Sequence, residues 1–108
     1  MKVRISPLDM LFSKYIRAKA GCKCEKCGNT PARRGLHCHH FYRRRKQATR
    51  FDEENGLSLC WGCHQYFQEN REEEREFMLR KLGQERFDML LGRARNTWPK
   101  PDKKLIEL

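Results

Sequence analysis

Residues 36–64 have the sequence LHCHHFYRRRKQATRFDEENGLSLCWGCH, in which two short strands are predicted. The first is LHCHHFY, residues 36–42, and the second is LSLC, residues 57–60. A polar loop joins them, basic in its first half and acidic in its second. From about Cys63 to Leu82 the apolar residues recur at helical spacing. Two strands followed by a helix predict a small α+β fold.

An N-terminal helix is predicted over about residues 7–20. Ser6 can cap it, Pro7 suits its first turn, and Asp9 stands three residues after the cap, as in a capping box. Gly21 is a natural stop. Because the apolar residues of this helix share one face, we expect that face to cover the segment that follows.

The C-terminal half is predicted to be mostly helical. Gly83 breaks the pattern, and a further helix is predicted from about Gln84 to Ala94. The charged run at residues 70–76 is expected to be a solvated helix face. The chain is long enough for one small domain, residues 1–108. Within it we predict, after the N-terminal helix, a metal-braced core at 22–68, a helical extension at 69–95 and a tail at 96–108.

The composition excludes some classes of protein. No apolar run approaches the roughly 20 residues that a membrane helix needs, so we expect no membrane partner. The first residues, MKVRISPLDMLFSKY, contain no apolar stretch of signal-peptide length. We therefore expect a cytoplasmic protein.

Positive charge is concentrated in the first half of the chain. Residues 1–51 hold 14 basic and 2 acidic side chains, whereas residues 52–108 hold 10 and 12. The formal net charge of +10 therefore comes entirely from the half that contains four of the six cysteines. Such asymmetry favours a polyanionic partner, most simply a nucleic acid.

Two C-x-x-C pairs predict a structural zinc site. Cys24 and Cys27 form the first pair, and Cys60 and Cys63 form the second, with 32 residues between the pairs. Four thiolates around one ion are a common ligand set of structural zinc. Disulfides are the alternative, which a reducing cytosol disfavours. A redox-active pair is a weaker alternative, because neither pair opens a helix in a βαβ unit.

Three further residues, Cys22, Cys38 and Trp61, are close to these pairs in the sequence. Cys22 could replace Cys24 as a ligand, so the sequence leaves two alternatives for the partner of Cys27. Cys38 is expected to be a small buried residue beside the site. Trp61 is expected to pack beside the zinc.

Histidines and an asparagine flank the predicted loop. His39 and His40 are adjacent, Asn55 follows 15 residues after His40, and His64 follows 9 residues after Asn55. Neighbouring residues on a strand point to opposite faces, so one of the two adjacent histidines can bind an ion while the other faces a substrate. Gln68 lies one helical turn after His64 and could approach the same ion.

The segments LHCHHF, DEENGLSL and CWGCH resemble the HNH, or ββα-metal, endonuclease motif. Two C-x-x-C pairs beside such a motif are common among zinc-braced HNH nucleases of phages and bacteria. Over about residues 14–91 the chain is similar to the recombination nucleases of lambda-like phages, the Rap or NinG group, which are associated with cutting branched DNA. His64 stands where that group often carries Asn, so branched DNA is kept as the alternative substrate.

The resemblance implies a ββα-metal core and a catalytic arrangement within it. His40 would be the general base that takes a proton from water. His39 and His64 would hold one divalent ion, Mg²⁺, Mn²⁺, Ni²⁺ or Zn²⁺. Asn55 would hold His40 in place by bridging backbone groups of the loop. The expected reaction is hydrolysis of DNA with low sequence specificity, leaving 5′-phosphate and 3′-hydroxyl ends, in a bacterial cell or a phage-infected host.

Basic side chains around the loop are expected to contact the DNA backbone, because arginine offers forked donors for phosphate. The predicted nucleic-acid-binding residues are Arg33, Arg34, Arg43, Arg44, Arg45, Lys46 and Arg50. A solvated basic loop is the alternative. A zinc-stabilised nucleic-acid-binding module without catalysis is the main alternative to an enzyme, and a homodimer or a phage or host protein could be a further partner.

Overall fold

The computed structural model describes residues 5–31 and 35–95. Within these ranges it has four α-helices and one two-stranded sheet, so the predicted small α+β class is confirmed. The elements are helix α1 (Pro7–Lys19), strand β1 (Leu36–His40), strand β2 (Gly56–Cys60) and helices α2 (Trp61–Glu69), α3 (Arg71–Leu82) and α4 (Gln84–Ala94). The tail predicted at 96–108 lies outside the described residues.

Helix α1 begins as the sequence predicts. The Ser6 hydroxyl accepts a hydrogen bond from the Asp9 amide at 3.1 Å, and the Asp9 carboxylate accepts one from the Ser6 amide at 2.7 Å. Phe12 and Ile16 are buried on the inner face of the helix. Ile16 packs so closely on the second strand that a Cβ at Gly56 would lie 2.9 Å from its side chain. Glycine at this position therefore lets α1 lie directly on the sheet.

The two strands pair antiparallel, with His39 opposite Leu57. Successive side chains of a strand point to opposite faces. The His39 ring lies 6.1 Å from the Phe67 ring of α2, whereas the His40 ring lies 5.5 Å from the Phe12 ring of α1. The sheet is therefore covered by α1 on one face and by the C-terminal helices on the other, and the two adjacent histidines face opposite layers.

The main core lies between the sheet and the C-terminal helices. Its buried side chains are Cys24, Phe41, Leu57, Leu59, Phe67, Met78, Leu82, Phe87 and Leu90. Gly83 separates α3 from α4 with a φ of 82°, a left-handed conformation that favours glycine. The break predicted at Gly83 is confirmed. None of the helices in the described ranges has the length and apolar character needed to cross a membrane.

The helix predicted from about Cys63 to Leu82 is two helices in the structure. The first ends at Glu69, and Asn70 leaves the helical conformation with φ −127° and ψ 72°. The Asn70 side-chain amide donates to the Tyr66 carbonyl at 2.9 Å. An asparagine that bonds to nearby backbone competes with the helical hydrogen-bond ladder, and apolar spacing alone does not reveal this.

The charged run at residues 70–76 is not entirely a solvated face, and that prediction is wrong for Glu74. Glu74 is 0% exposed, whereas Glu72 and Glu73 are exposed. Glu74 stands four residues before the buried Met78 and therefore shares its inward helix face.

Candidate functional site

The four cysteines of the two C-x-x-C pairs meet in one place. Cys24 and Cys27 lie in the loop after α1, Cys60 ends β2, and Cys63 is in the first turn of α2. Their four sulfur atoms all lie within 4.8 Å of one another. Such a group could hold a structural metal such as zinc, because zinc accepts four thiolates in a tetrahedral arrangement. The structure thus brings together the four ligands that the sequence predicts.

The surroundings of Cys24 favour its thiolate. Burial opposes the charged form, but backbone amides donate to the sulfur, among them that of Cys27 at 3.5 Å, and the pKa of Cys24 falls to about 7. Burial and the neighbouring thiols raise the pKa of Cys63. A metal ion would supply the positive charge that allows all four thiols to ionise together.

Cys22 and Cys38 are not part of the group of four cysteines. Cys22 is exposed and is not among the clustered cysteines, so its exchange with Cys24 is not supported. Cys38 is only partly buried, and it lines a groove beside α1, where burial raises the pKa of its thiol to about 12. Trp61 is 56% exposed, and its ring lies 5.4 Å from the His37 ring.

His39 on β1 and His64 in the first turn of α2 face each other. Their Nδ1 atoms are 2.8 Å apart, and the His39 side chain is fully buried. A single ion with metal–nitrogen bonds of about 2.0–2.1 Å could reach both nitrogens. Burial lowers the pKa of His64 to about 4, which keeps its ring neutral and able to bind an ion.

Further ligands at this pair would come from an amide or from solvent. The Gln68 side-chain nitrogen lies 3.2 Å from Nε2 of His64, so Gln68 does approach the pair as its spacing predicts. The His37 ring stacks on His64, with centroids 5.5 Å apart. Among the described residues, the four cysteines alone form a group of three or more His, Cys, Asp or Glu side chains close enough to share a metal.

Glu74 belongs to this site and was missed by the sequence analysis. Its carboxylate contacts Nε2 of His39 and the guanidinium groups of Arg43 and Arg71. Burial opposes the charged form of Glu74, but hydrogen bonds from these three partners outweigh it and hold its pKa below the usual range. The available signal was its position four residues before Met78, which the density of charge around it obscured.

His40 lies on the other face of β1, toward α1. Its Nε2 donates to the Arg50 carbonyl at 2.9 Å. Burial lowers the pKa of His40 to about 4, so the ring is neutral near pH 7. In this tautomer Nδ1 carries the lone pair and can accept a proton.

Asn55 ties the two ends of the loop together. Its side-chain oxygen accepts from the Tyr42 amide at 2.8 Å, and its side-chain nitrogen donates to the carbonyls of Tyr42 and Thr49 at 2.9 and 3.0 Å. The backbone carbonyl of Asn55 also accepts from the Phe41 amide at 2.9 Å. These bonds anchor the chain directly after His40, which is the bridging geometry that the resemblance implies for this asparagine.

A groove of about 1440 Å³ lies between α1, β1 and the start of α2. The three histidines of β1, together with His64 and Gln68, line it. Arg44 and Arg45 also line the groove, and Lys46 is exposed close by in sequence. These three side chains stand where the sequence predicts a basic surface beside the histidines.

Other residues of the predicted basic surface have different positions. Arg43 lines the groove, but its guanidinium turns inward to the His40 carbonyl at 2.6 Å and to Glu74. Arg50 is buried and donates from Nε to the Asp9 carboxylate at 2.8 Å. A buried carboxylate needs such a partner, so Arg50 is removed from the predicted DNA-binding residues. Arg33 and Arg34 lie outside the described residues.

Comparisons with curated proteins and with solved structures give no significant match. One protein family does match, and its description is Bacteriophage Lambda NinG protein. The match spans residues 4–107, nearly the whole chain. It agrees with the similarity to lambda-like phage proteins found over residues 14–91. The chain therefore belongs to the bacteriophage lambda NinG family.

Proposed function

We propose that this chain is a metal-dependent DNA endonuclease of the HNH type, with β1, β2 and α2 as its ββα-metal core. The observation that carries the proposal is the 2.8 Å approach of Nδ1 of His39 to Nδ1 of His64. His40 follows His39 directly and opens onto the same groove. Two nitrogen ligands and a neutral imidazole in one groove are what a hydrolytic site needs, since two protein ligands leave positions for phosphate and water.

His40 serves as the general base in this proposal. Its Nε2 is occupied by the Arg50 carbonyl, so Nδ1 accepts the proton of the attacking water. His39 and His64 would hold a divalent ion, which would supply positive charge to stabilise the phosphate and the leaving oxygen. Asn55 keeps the base in place, because it anchors the backbone of the two residues that follow His40.

DNA binding depends on charge rather than on reading bases. Arg44, Arg45 and Lys46 bind backbone phosphates along the groove, which gives affinity that falls with salt and carries no sequence information. The other basic side chains of residues 1–51 strengthen the same electrostatic attraction to DNA.

The zinc site supports the catalytic site through the chain itself. Cys63 and His64 are consecutive residues in the first turn of α2. Zinc bound by the four cysteines joins this turn to the loop after α1, and so restrains the position of His64.

A plasmid-nicking assay tests the proposal. Supercoiled plasmid at low salt is incubated with protein whose zinc site is filled, and Mg²⁺, Mn²⁺, Ni²⁺ or Zn²⁺ is added singly. We expect wild type to relax the plasmid with at least one metal. His40→Ala should cut about 100-fold more slowly or worse while binding DNA equally well, because it lacks the base.

The control is Glu85→Ala, an exposed position on α4 that should cut like wild type. If wild type and His40→Ala both bind DNA and neither cuts with any metal, the nuclease proposal is rejected. The chain would then be a zinc-stabilised nucleic-acid-binding module, the alternative from another class.

The resemblance to the recombination nucleases of lambda-like phages favours one narrower alternative, a nuclease selective for branched DNA. The comparison is a four-way junction against a linear duplex of the same arm sequences, with the metal that supports nicking. A junction cut at least 10-fold faster than the duplex would establish this selectivity. Equal rates would leave a nuclease without structural preference.

A further inference from the structure

We propose that Glu74 is a positioning residue that sets the ring orientation and tautomer of His39, so that Nδ1 is the atom His39 presents to a metal ion. The inference rests on the proposed function and deepens it. Glu74 lies 35 residues beyond His39 in the chain, outside the resembling motif segments, and reaches the site only through the packing of α3.

The contacts of the His39 ring carry the inference. Its Nε2 meets a carboxylate oxygen of Glu74, and its Nδ1 lies 2.8 Å from Nδ1 of His64. Nη1 of Arg43 also lies 3.2 Å from Nε2 of His39, but this nitrogen donates to the His40 carbonyl at 2.6 Å. The shorter contact of Nε2 is to the Glu74 carboxylate, which only accepts hydrogen bonds, so Nε2 of His39 carries the proton. The lone pair is then on Nδ1, the nitrogen that faces His64. Carboxylates behind metal-binding histidines act in this way, by fixing the tautomer and raising the basicity of the ligand.

Glu74 is itself held in a single position. Arg43 donates to one of its oxygens at 3.0 Å, and Arg71 contacts the other. Arg43 also donates to the His40 carbonyl at 2.6 Å, and Arg71 to the Phe41 carbonyl at 2.7 Å. The carboxylate is thereby tied to the end of β1, where the proposed metal ligand and the proposed base are adjacent.

A purely structural ion pair is the competing explanation for a buried, doubly paired glutamate. Both explanations predict that removing Glu74 lowers stability, so stability cannot separate them. They differ in the affinity for a second metal ion, because only a positioning role makes metal binding by His39 depend on Glu74.

The first measurement is nitrogen-15 NMR of the histidine rings in the full chain with zinc in the cysteine site. We expect His39 to carry its proton on Nε2, with its signals assigned by their loss in His39→Asn. A proton on Nδ1 of His39 would overturn the inference. This measurement needs no Glu74 variant and does not depend on DNA cleavage.

The second measurement is calorimetric titration of the same zinc-filled protein with Ni²⁺. Glu74→Gln retains the size of the side chain and a weaker acceptor, and should bind Ni²⁺ 10- to 100-fold more weakly than wild type. Glu72→Gln makes the same change at an exposed position two residues away and should bind like wild type. Circular dichroism and retained zinc identify folded protein. If Glu74→Gln fails to fold, the wild-type NMR measurement still tests the inference, because a proton on Nδ1 of His39 would overturn it.

The outcomes separate this inference from the proposed function. Equal Ni²⁺ affinity in folded Glu74→Gln and wild type, or no Ni²⁺ binding by wild type, overturns the inference, even if plasmid is cut. Weaker Ni²⁺ binding by Glu74→Gln together with an Nε2 proton supports it, even if no metal restores cutting and the nuclease proposal is rejected.

Discussion

Asn55 is fully buried, and its side chain forms hydrogen bonds with three backbone groups that lie outside the β-sheet. They are the amide and carbonyl of Tyr42 and the carbonyl of Thr49. A buried backbone group without a partner is costly, so a loop that turns inward needs a side chain of this kind. The same three bonds that stabilise the fold also hold the backbone beside His40.

Asn55→Ala is expected to lower the stability of the fold and to loosen the backbone beside His40. It leaves the amide and the carbonyl of Tyr42 unpaired, at about 1–3 kcal/mol for each group that water cannot reach, and it removes one of the two hydrogen bonds to the Thr49 carbonyl, which still accepts from the Asp52 amide at 3.2 Å. We expect a total loss of about 3 kcal/mol in urea unfolding and a matching loss of any plasmid nicking. Asn29→Ala, at an exposed asparagine, should be nearly neutral in both assays. An Asn55→Ala protein as stable as wild type would contradict this account.

At the scale of elements, α1 is connected to the loop between β1 and β2 by one buried ion pair, Asp9–Arg50. Asp9 closes the capping box of α1 and binds the Arg50 guanidinium, while the Arg50 carbonyl binds His40. The helix start, the loop and the proposed base are therefore linked through two residues. The cost of leaving either charge of such a pair alone is larger than for a surface pair.

Asp9→Asn is expected to lower the free energy of unfolding at pH 7 by about 3 kcal/mol, since it leaves Arg50 buried without its counter-charge. Asp88→Asn, an exposed aspartate on α4, should change it by no more than about 0.5 kcal/mol. Urea unfolding at pH 7 measures both. A small effect of Asp9→Asn would show that the pair is not needed to hold α1 on the loop.

The Asp9–Arg50 pair also predicts that the stability of the fold depends on pH. The hydrogen bonds from Arg50 hold the pKa of Asp9 well below its usual range, so the unfolded chain takes up this proton at higher pH than the folded chain. The stabilisation is fully present above an unfolded pKa of about 4 and is lost as pH falls below it. The stability difference between wild type and Asp9→Asn should therefore shrink between about pH 5 and pH 2. A constant difference over that range would contradict the pairing.

At the scale of the whole molecule, the cysteine group joins parts of the chain that the sheet alone does not connect. Cys24 and Cys27 come from the loop after α1, and Cys60 and Cys63 from the junction of β2 and α2. A two-stranded sheet is marginal by itself and depends on what packs against it or is linked to it. Zinc at this place would stabilise both the core and the helix that carries His64.

Cys24→Ser and Cys22→Ser form a matched pair for this prediction. Cys24 is in the group of four and Cys22 is exposed outside it. Wild type and Cys22→Ser should each retain one tightly bound zinc by elemental analysis. Cys24→Ser should lose it and show a lower midpoint of thermal unfolding, as should wild type treated with a chelator, because binding free energy is folding free energy at such sites. Equal zinc content in all three would reject the assigned ligand set.

Most of the fold could be predicted because its signals are local. The capping box at Ser6, the break at Gly83 and the two short strands depend on residues adjacent in the chain, and the structure confirms them. The cysteine group was also predictable, since two C-x-x-C pairs have few other uses in a chain of this composition. The end of α2 at Asn70 was missed because a side chain bonding to backbone is invisible to apolar periodicity.

The residue types and spacings of this chain were sufficient to predict the group of four cysteines, and they predict a second site at the histidines and Asn55. They were not sufficient to say which charged residues are partners of one another. Glu74 and Arg50 looked like surface charges, and only the packing of α3 and α1 on the sheet buries them against His39 and Asp9. The His39–Glu74 and Asp9–Arg50 contacts join residues 35 and 41 positions apart. A buried charge needs such a partner, and local sequence patterns do not predict contacts over these separations.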